Sequence, residues 1–155
     1  MSGTGSRRIP MDTSEVSDLL SVSTMTLATS GGSGEPHAAP VYFVAGENRT
    51  LYFFSDPESQ HSRDLAQNPR AASAVYPESF DWQDIRGLQM HGEVYPVPAG
   101  AEWEAAWRVY AAKFPFVIAL KAVVARNRLY AFAPHWIRLV DNRRSFGFKK
   151  EWSVP

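Results

Sequence analysis

Short runs in which apolar and polar residues alternate recur along the chain, separated by tight polar turns. Thr24–Thr29 alternates and is β-branched, which predicts a strand. Ser30-Gly31-Gly32-Ser33-Gly34 reads as a turn, and a second strand follows from about Pro36 to Ala45. Gly46-Glu47-Asn48 turns the chain into a third strand, Leu51–Ser55. Two more are expected over Ala71–Tyr76 and about Ile85–Pro96. The last, Arg128–Val140, is long and broken or bulged near Pro134. Spacing of three and four appears elsewhere. Asp12-Thr13-Ser14-Glu15 signals a helix start, and Val16, Leu19 and Leu20 then share one face to about Val22. Pro57-Glu58-Ser59 opens a helix that Asn68-Pro69 ends. Ala101–Lys113 carries Trp103, Trp107 and Tyr110 near one face. Phe114-Pro115 kinks the chain, and Phe116–Ala125 is expected to be helical again. Residues 77–84 form a loop with Phe80 and Trp82, and residues 141–155 a basic, aromatic tail. Tight early turns make neighbouring strands antiparallel. The pattern is α+β and mainly β, a barrel or sandwich rather than a doubly wound sheet.

Composition narrows the function classes. A chain of 155 residues suggests one domain, over 12–155, behind a flexible tail over 1–11. Five Trp, six Tyr and nine Phe make the chain rich in flat rings, which serve cores, interfaces and planar ligands alike. Sixteen basic and sixteen acidic residues cancel, so the basic excess of a nucleic-acid binder is missing. With no cysteine there is no disulfide, thiolate metal site or thiol nucleophile. His37, His61, His91 and His135 lack HxxxH or HExxH spacing, which argues against a structural metal. No apolar run is long enough to span a bilayer, and MSGTGSRRIP has no apolar stretch behind its arginines. A cytoplasmic location is expected. No GxGxxG or GxxxxGK[ST] occurs, so nucleotide cradles of those kinds are unsupported.

The chemistry concentrates in Ser55-Asp56-Pro57-Glu58-Ser59-Gln60-His61. A strand ends on a hydroxyl, and a helix starts with another hydroxyl and an imidazole. Helix N-termini present free N–H groups and the positive end of a dipole, so such a start suits a phosphate. It also reads simply as a helix capped by Ser59 with His61 exposed.

With its neighbours, this stretch resembles the pyridoxamine 5'-phosphate oxidase-like flavin split barrels. The marks are Gly34-x-Pro36, Leu51-Tyr52-Phe53-Phe54-Ser55, Ser59-x-x-x-Arg63-x-Leu65, Asn68-Pro69-Arg70, and Arg86-Gly87-Leu88-Gln89-Met90-His91-Gly92. The ending Trp136–Asn142 followed by Phe146–Lys149 is similar to a small bacterial branch of that superfamily. The resemblance implies a six-stranded antiparallel split β-barrel with short flanking helices, binding FMN at a site shared by two copies of the chain. Ala39, Pro40, Val41 and Tyr42 would run under the flavin ring. Ser55 would face the phosphate, and Ser59, Gln60 and His61 match the family's Ser-Arg-Lys phosphate grip. Gln89 would meet the ring, although the best register puts Gly87 there. Trp136, or the tail through Phe148 and Lys149, would close the partner's site. His61 fits a phosphate neighbour better than a general base.

The departures are specific. The grip's Arg-Lys pair is Gln60-His61, an arginine of strand two is Ala39, and the lysine that touches substrate phosphate in the vitamin B6 oxidases is Val44. Loss of arginine matters because guanidinium–phosphate contacts are strong and directional. The chain is therefore expected not to oxidise pyridoxamine 5'-phosphate, and Arg63, Arg143, Arg144 or Lys149 are candidates to support the phosphate. Three functions remain open: an FMN-dependent oxidoreductase or flavin reductase, a non-catalytic flavin-binding or storage protein, and a split barrel holding haem or deazaflavin.

Overall fold

Period-two burial builds the architecture that the computed structural model shows for residues 13–154. Strands β1 (Thr24–Ser30), β2 (Pro36–Tyr42), β3 (Val44–Ala45), β4 (Leu51–Ser55), β5 (Arg70–Val75), β6 (Arg86–Pro96), β7 (Arg128–Asp141) and β8 (Lys149–Ser153) form one antiparallel sheet. On β6, Leu88, Met90, Gly92 and Val94 are buried, while Gln89, His91, Glu93 and Tyr95 face out. Helices α1 (Thr13–Leu19), α2 (Gln60–Gln67), α3 (Ala101–Lys113) and the short α4 (Lys121–Val124) flank it. The expected tail over 1–11 lies outside the described residues.

The strand order is β2-β1-β5-β6-β7-β4-β3, with β8 beside β7. Only Phe43 separates β2 from β3, so residues 36–45 act as one bent strand. One half pairs with β1 and the other with β4, so the sheet curls back on itself. Counted this way there are seven strands, not six. The six expected strands are present, and Lys149–Ser153 adds the seventh. That segment was expected as a tail crossing to a partner. Instead it pairs with β7 from Trp136↔Ser153 to Val140↔Lys149, and Trp152 is buried in the core.

Inside the curl, Phe43, Phe53, Phe132, Leu27, Met90 and Ile137 form the main core. A second cluster packs α3 on β4 and β7 through Ala106, Tyr110, Phe114, Leu129 and Ala131. Phe54 meets the edges of Trp103, Trp107 and Tyr110 at 6.3, 5.9 and 5.0 Å, as the spacing of those rings on α3 predicts. The break expected near Pro134 is a β-bulge. His91 pairs with Trp136 and Gly92 with Pro134, which leaves His135 as the extra residue. Gly92 is required here, because a Cβ would lie 2.3 Å from the Ala133 carbonyl oxygen. The helix expected over 116–125 is instead a 3-10 turn at Pro115–Ile118 followed by the four residues of α4. The segment is apolar on nearly every side, so Ile118, Leu120 and Val123 stay exposed and no single face anchors a longer helix.

Because Trp152 fills the core, Trp152→Ala is expected to cost about 3 kcal/mol of unfolding free energy, the usual range for a buried tryptophan. Urea unfolding measures this, and a negligible loss would show that β8 is not part of the folded unit.

Candidate functional site

The turn after β4 builds a cluster of hydroxyls. Asp56 accepts from Glu58 N–H through its side chain (2.9 Å) and from Ser59 N–H through its carbonyl (3.0 Å), so the chain reverses within three residues. Ser59 then caps α2, its Oγ accepting from the Ser62 N–H at 3.3 Å. Ser55 Oγ, buried at the end of β4, lies 3.1 Å from Ser59 Oγ, 3.4 Å from Ser62 Oγ and 2.5 Å from His61 Nε2. The Ser59 cap leaves the N–H groups of Gln60 and His61 without an acceptor among the described residues. Three hydroxyls, one imidazole and two helix-start donors thus face the same corner. Burial pushes the His61 pKa below its usual 6.5, only partly opposed by the charge of Asp64. Neutral and hydrogen-bonded to a serine, His61 is set to gain a proton when an anion arrives.

Asp64 fixes this corner to the sheet. It is buried on α2. One carboxylate oxygen accepts from Thr29 Oγ1 (2.8 Å) and His37 Nδ1 (2.9 Å), and the other from Gln60 Nε2 (2.9 Å). Burial alone would raise its pKa. The hydrogen bonds from Gln60, Thr29 and His37 outweigh burial and hold the group below the normal carboxylate range. Gly31 must lack a side chain beside it, because a Cβ would lie 2.9 Å from Asp64 Oδ1. Sequence reasoning missed Asp64, His37, Thr29 and Ser62. The available signal was a lone acid four residues after Gln60, on the face of α2 that carries Leu65 inward.

The expected site residues therefore divide. Ser55, Ser59 and His61 come together, whereas Gln60 turns to Asp64 and lies outside the hydroxyl cluster. Ala39 and Val41 lie on one face of β2, and Pro40 and Tyr42 on the other. Tyr42 is exposed and packs against Phe114 and Phe116 at 5.2 and 5.9 Å. Gln89 and Trp136 share the outer face of β6 and β7. Arg138 donates to Gln89 Oε1 at 3.4 Å, lies 4.8 Å from the centre of the Trp136 ring, and leaves that ring 4.5 Å from His91. Among the described residues they make no hydrogen bond or ring contact with the Ser55 group. Phe148 packs against the chain's own core, and Lys149 opens β8. Two supports expected for the phosphate are already engaged. Arg143 grips Asp141 with two 3.0 Å bonds and holds that carboxyl low, and Arg144 pairs with Glu15. Arg63 remains exposed, with one long 3.4 Å bond to Gln60. Trp82 packs on Phe146 at 5.8 Å. A separate outer cleft of about 410 Å³ is lined by Ala28, Arg70, Ala72, His91, Gly92 and His135. The described residues contain no cluster of three metal-ligating side chains, and no helix among them is long and apolar enough to cross a membrane.

The family model described as pyridoxamine 5'-phosphate oxidase matches residues 13–141. The chain is 30% identical to a UPF0306 protein of Yersinia pestis over 129 residues, covering 82% of this chain and 84% of the relative. It is 34% identical to the pyridoxine/pyridoxamine 5'-phosphate oxidase of Salinibacter ruber over 89 residues, 57% of this chain and 39% of that one. Among solved structures, a conserved hypothetical protein from Mycobacterium tuberculosis superposes with a TM-score of 0.74 at 17% identity, covering 89% of each chain. HutZ, the haem storage protein of Vibrio cholerae, gives 0.69 at 16%, covering 79% of this chain and 89% of that one. A haem-binding protein from Mycobacterium smegmatis gives 0.72 at 21%, covering 86% and 54%.

Because the folded pKa of His61 is depressed, the unfolded chain binds its proton first as pH falls. The stability this residue confers is complete above about 6.5 and is lost as pH drops below it. Ligand-free wild type should lose more thermal stability between pH 7.5 and pH 5.5 than His61→Gln, measured by circular dichroism melts. Equal losses would mean that His61 is not held neutral.

Proposed function

Since the chain belongs to the pyridoxamine 5'-phosphate oxidase family, we propose that it is a cytoplasmic homodimeric FMN protein and an oxidoreductase on a small molecule other than pyridoxamine 5'-phosphate. The observation that carries the reading is the convergence of Ser55, Ser59, Ser62 and His61 on the start of α2. The residues fit a phosphate monoester in kind: hydroxyl and N–H donors with a proton-accepting imidazole, and no carboxylate inside the hydroxyl cluster. No guanidinium bonds the hydroxyl cluster: Arg143 and Arg144 are tied to acids, and Arg63 reaches only Gln60. The phosphate charge is then met by His61 and the helix start, a softer grip than arginine provides.

When bound, FMN supplies two-electron chemistry, such as hydride acceptance from a reduced nicotinamide. The chain's own residues position it. Ser55 would donate to a phosphate oxygen, Ser59 would do so by turning its hydroxyl away from the Asp56 carbonyl, and His61 would take up a proton at Nε2 as the anion enters. The Ala39–Tyr42 backbone borders the ring. Val44 stands where the vitamin B6 oxidases carry the lysine that touches substrate phosphate, and it offers no cation of its own. The partner copy closes the site with the outer face of β6 and β7, where Gln89 and Trp136 wait. Next to that face Tyr76, Phe80, Trp82, Ile85 and Phe146 are all exposed, with Phe80 at 95% and Phe146 at 82%. A cluster of large apolar side chains of this kind marks a protein contact.

A haem reading draws on one feature, the outer cleft that His91 and His135 flank over Ala28 and Ala72. The spectrum of the purified protein separates the two. Flavin bands with FMN in a one-to-one ratio to chain support the proposal, and a haem Soret band with no flavin overturns it.

The phosphate assignment makes a narrower prediction. His61→Ala should weaken FMN by about tenfold, as expected for one charge-assisted hydrogen bond, and leave riboflavin within a factor of about two. Fluorescence-quenching titrations measure both, and equal losses would remove His61 from the phosphate site.

A further inference from the structure

A second cleft, of about 420 Å³, lies away from the Ser55 cluster, between α1, β3 and the end of α3. Its walls are Leu20, Val44 and Ala45 with the hydroxyls of Ser17 and Ser21, and its two charged residues are Arg49 and Lys113. No carboxylate lines it, and neither cation forms an ion pair among the described residues.

Lys113 enters from the last turn of α3, with its Nζ 4.2 Å from the centre of the Phe43 ring. It donates to the carbonyls of Val22 (2.6 Å) and Phe43 (2.8 Å), while that of Leu20 lies at 3.4 Å. Two of its three N–H groups are well placed, and the third has a long, weak acceptor. Burial without a counter-charge pushes the ammonium down to about 8. Arg49 is delivered by an unusual backbone. Asn48 and Arg49 both take left-handed conformations (φ 57° and 58°), a costly arrangement for two successive non-glycine residues. Gly46 makes this turn possible, because a Cβ there would lie 2.6 Å from the Tyr52 ring. The strained turn sets a guanidinium beside the cleft that already holds an ammonium.

We infer that this cleft is a binding site for a small organic anion with an apolar body, an aryl or alkyl carboxylate, its head between Arg49 and Lys113 and its body on Leu20, Val44 and Ala45. Two cations without acids set the sign of the ligand, and the apolar wall sets its other half. The assignment is independent of flavin.

Benzoate is a suitable probe, with benzamide as its neutral counterpart and inorganic phosphate as a head without a body. The full-length protein is titrated with each and followed by the amide resonances of Leu20, Ala45, Gly46 and Arg49, in flavin-free and FMN-treated samples. Benzoate should shift these signals saturably in both samples, with benzamide and phosphate weaker by about tenfold or more, the scale of a charge-assisted contact. Lys113→Met removes bonds that hold α3, so Arg49→Gln is the decisive variant. It should weaken benzoate by several fold while the circular dichroism spectrum stays unchanged. Equal binding of benzamide, phosphate binding as tightly as benzoate, shifts confined to other residues, or an unaltered affinity in Arg49→Gln would each overturn the proposal.

Discussion

Asp64 sits in the seam between α2 and the β1–β2 edge, and its buried charge is held by Thr29, His37 and Gln60. A carboxylate in that position is tolerated only while those donors are present, because an unpaired buried charge is strongly unfavourable. Thr29 belongs to β1 and His37 to β2, so the requirement fixes where α2 sits on the sheet. The position of α2 in turn decides whether Ser59 and His61 reach Ser55. The cradle is thus assembled from behind, by a residue that lies outside it. Gln60, the side chain that the family pattern places in the grip, is spent on that support.

A second constraint is the bent strand over residues 36–45. It must supply both edges of the curled sheet, and Phe43 marks the joint. The Lys113 ammonium binds the Phe43 carbonyl there, linking α3 to the strand that borders both the proposed flavin site and the second cleft. At the opposite side, the His135 bulge and the close approach over Gly92 re-aim the outer face of β6 and β7, leaving His91 and Trp136 in tilted ring contact.

Much of this was legible from residues alone. Period-two burial made β1 and β6 plain, the short apolar run Leu51–Phe54 did the same for β4, and Ser59 was readable as a cap because a hydroxyl after Pro57 can do little else so well. The rings of α3 fell at spacings that only a helix brings onto Phe54. Other features were hidden for physical reasons. In β8 only Trp152 is fully buried among charged neighbours, so the segment KKEWS reads as a solvated tail until β7 is there to pair with it. Gln60 follows a hydroxyl at a helix start and looks like a ligand group. Its direction depends on Asp64 one turn later, and Asp64 depends on β1 and β2, which no local pattern reports. Arg144 looked available because its partner Glu15 comes from the other end of the chain, whereas Arg143 takes a partner only two residues away, Asp141.

The account rests on a phosphate meeting His61 at the start of α2, in place of the arginine and lysine of related barrels. The most direct measurement is the titration of the His61 imidazole by NMR in flavin-free protein and with saturating FMN or riboflavin. Burial keeps this ring neutral on its own, so FMN should raise its pKa while riboflavin, which lacks the phosphate, leaves it low. An unchanged pKa with FMN bound, or the same rise with riboflavin, would contradict the phosphate assignment.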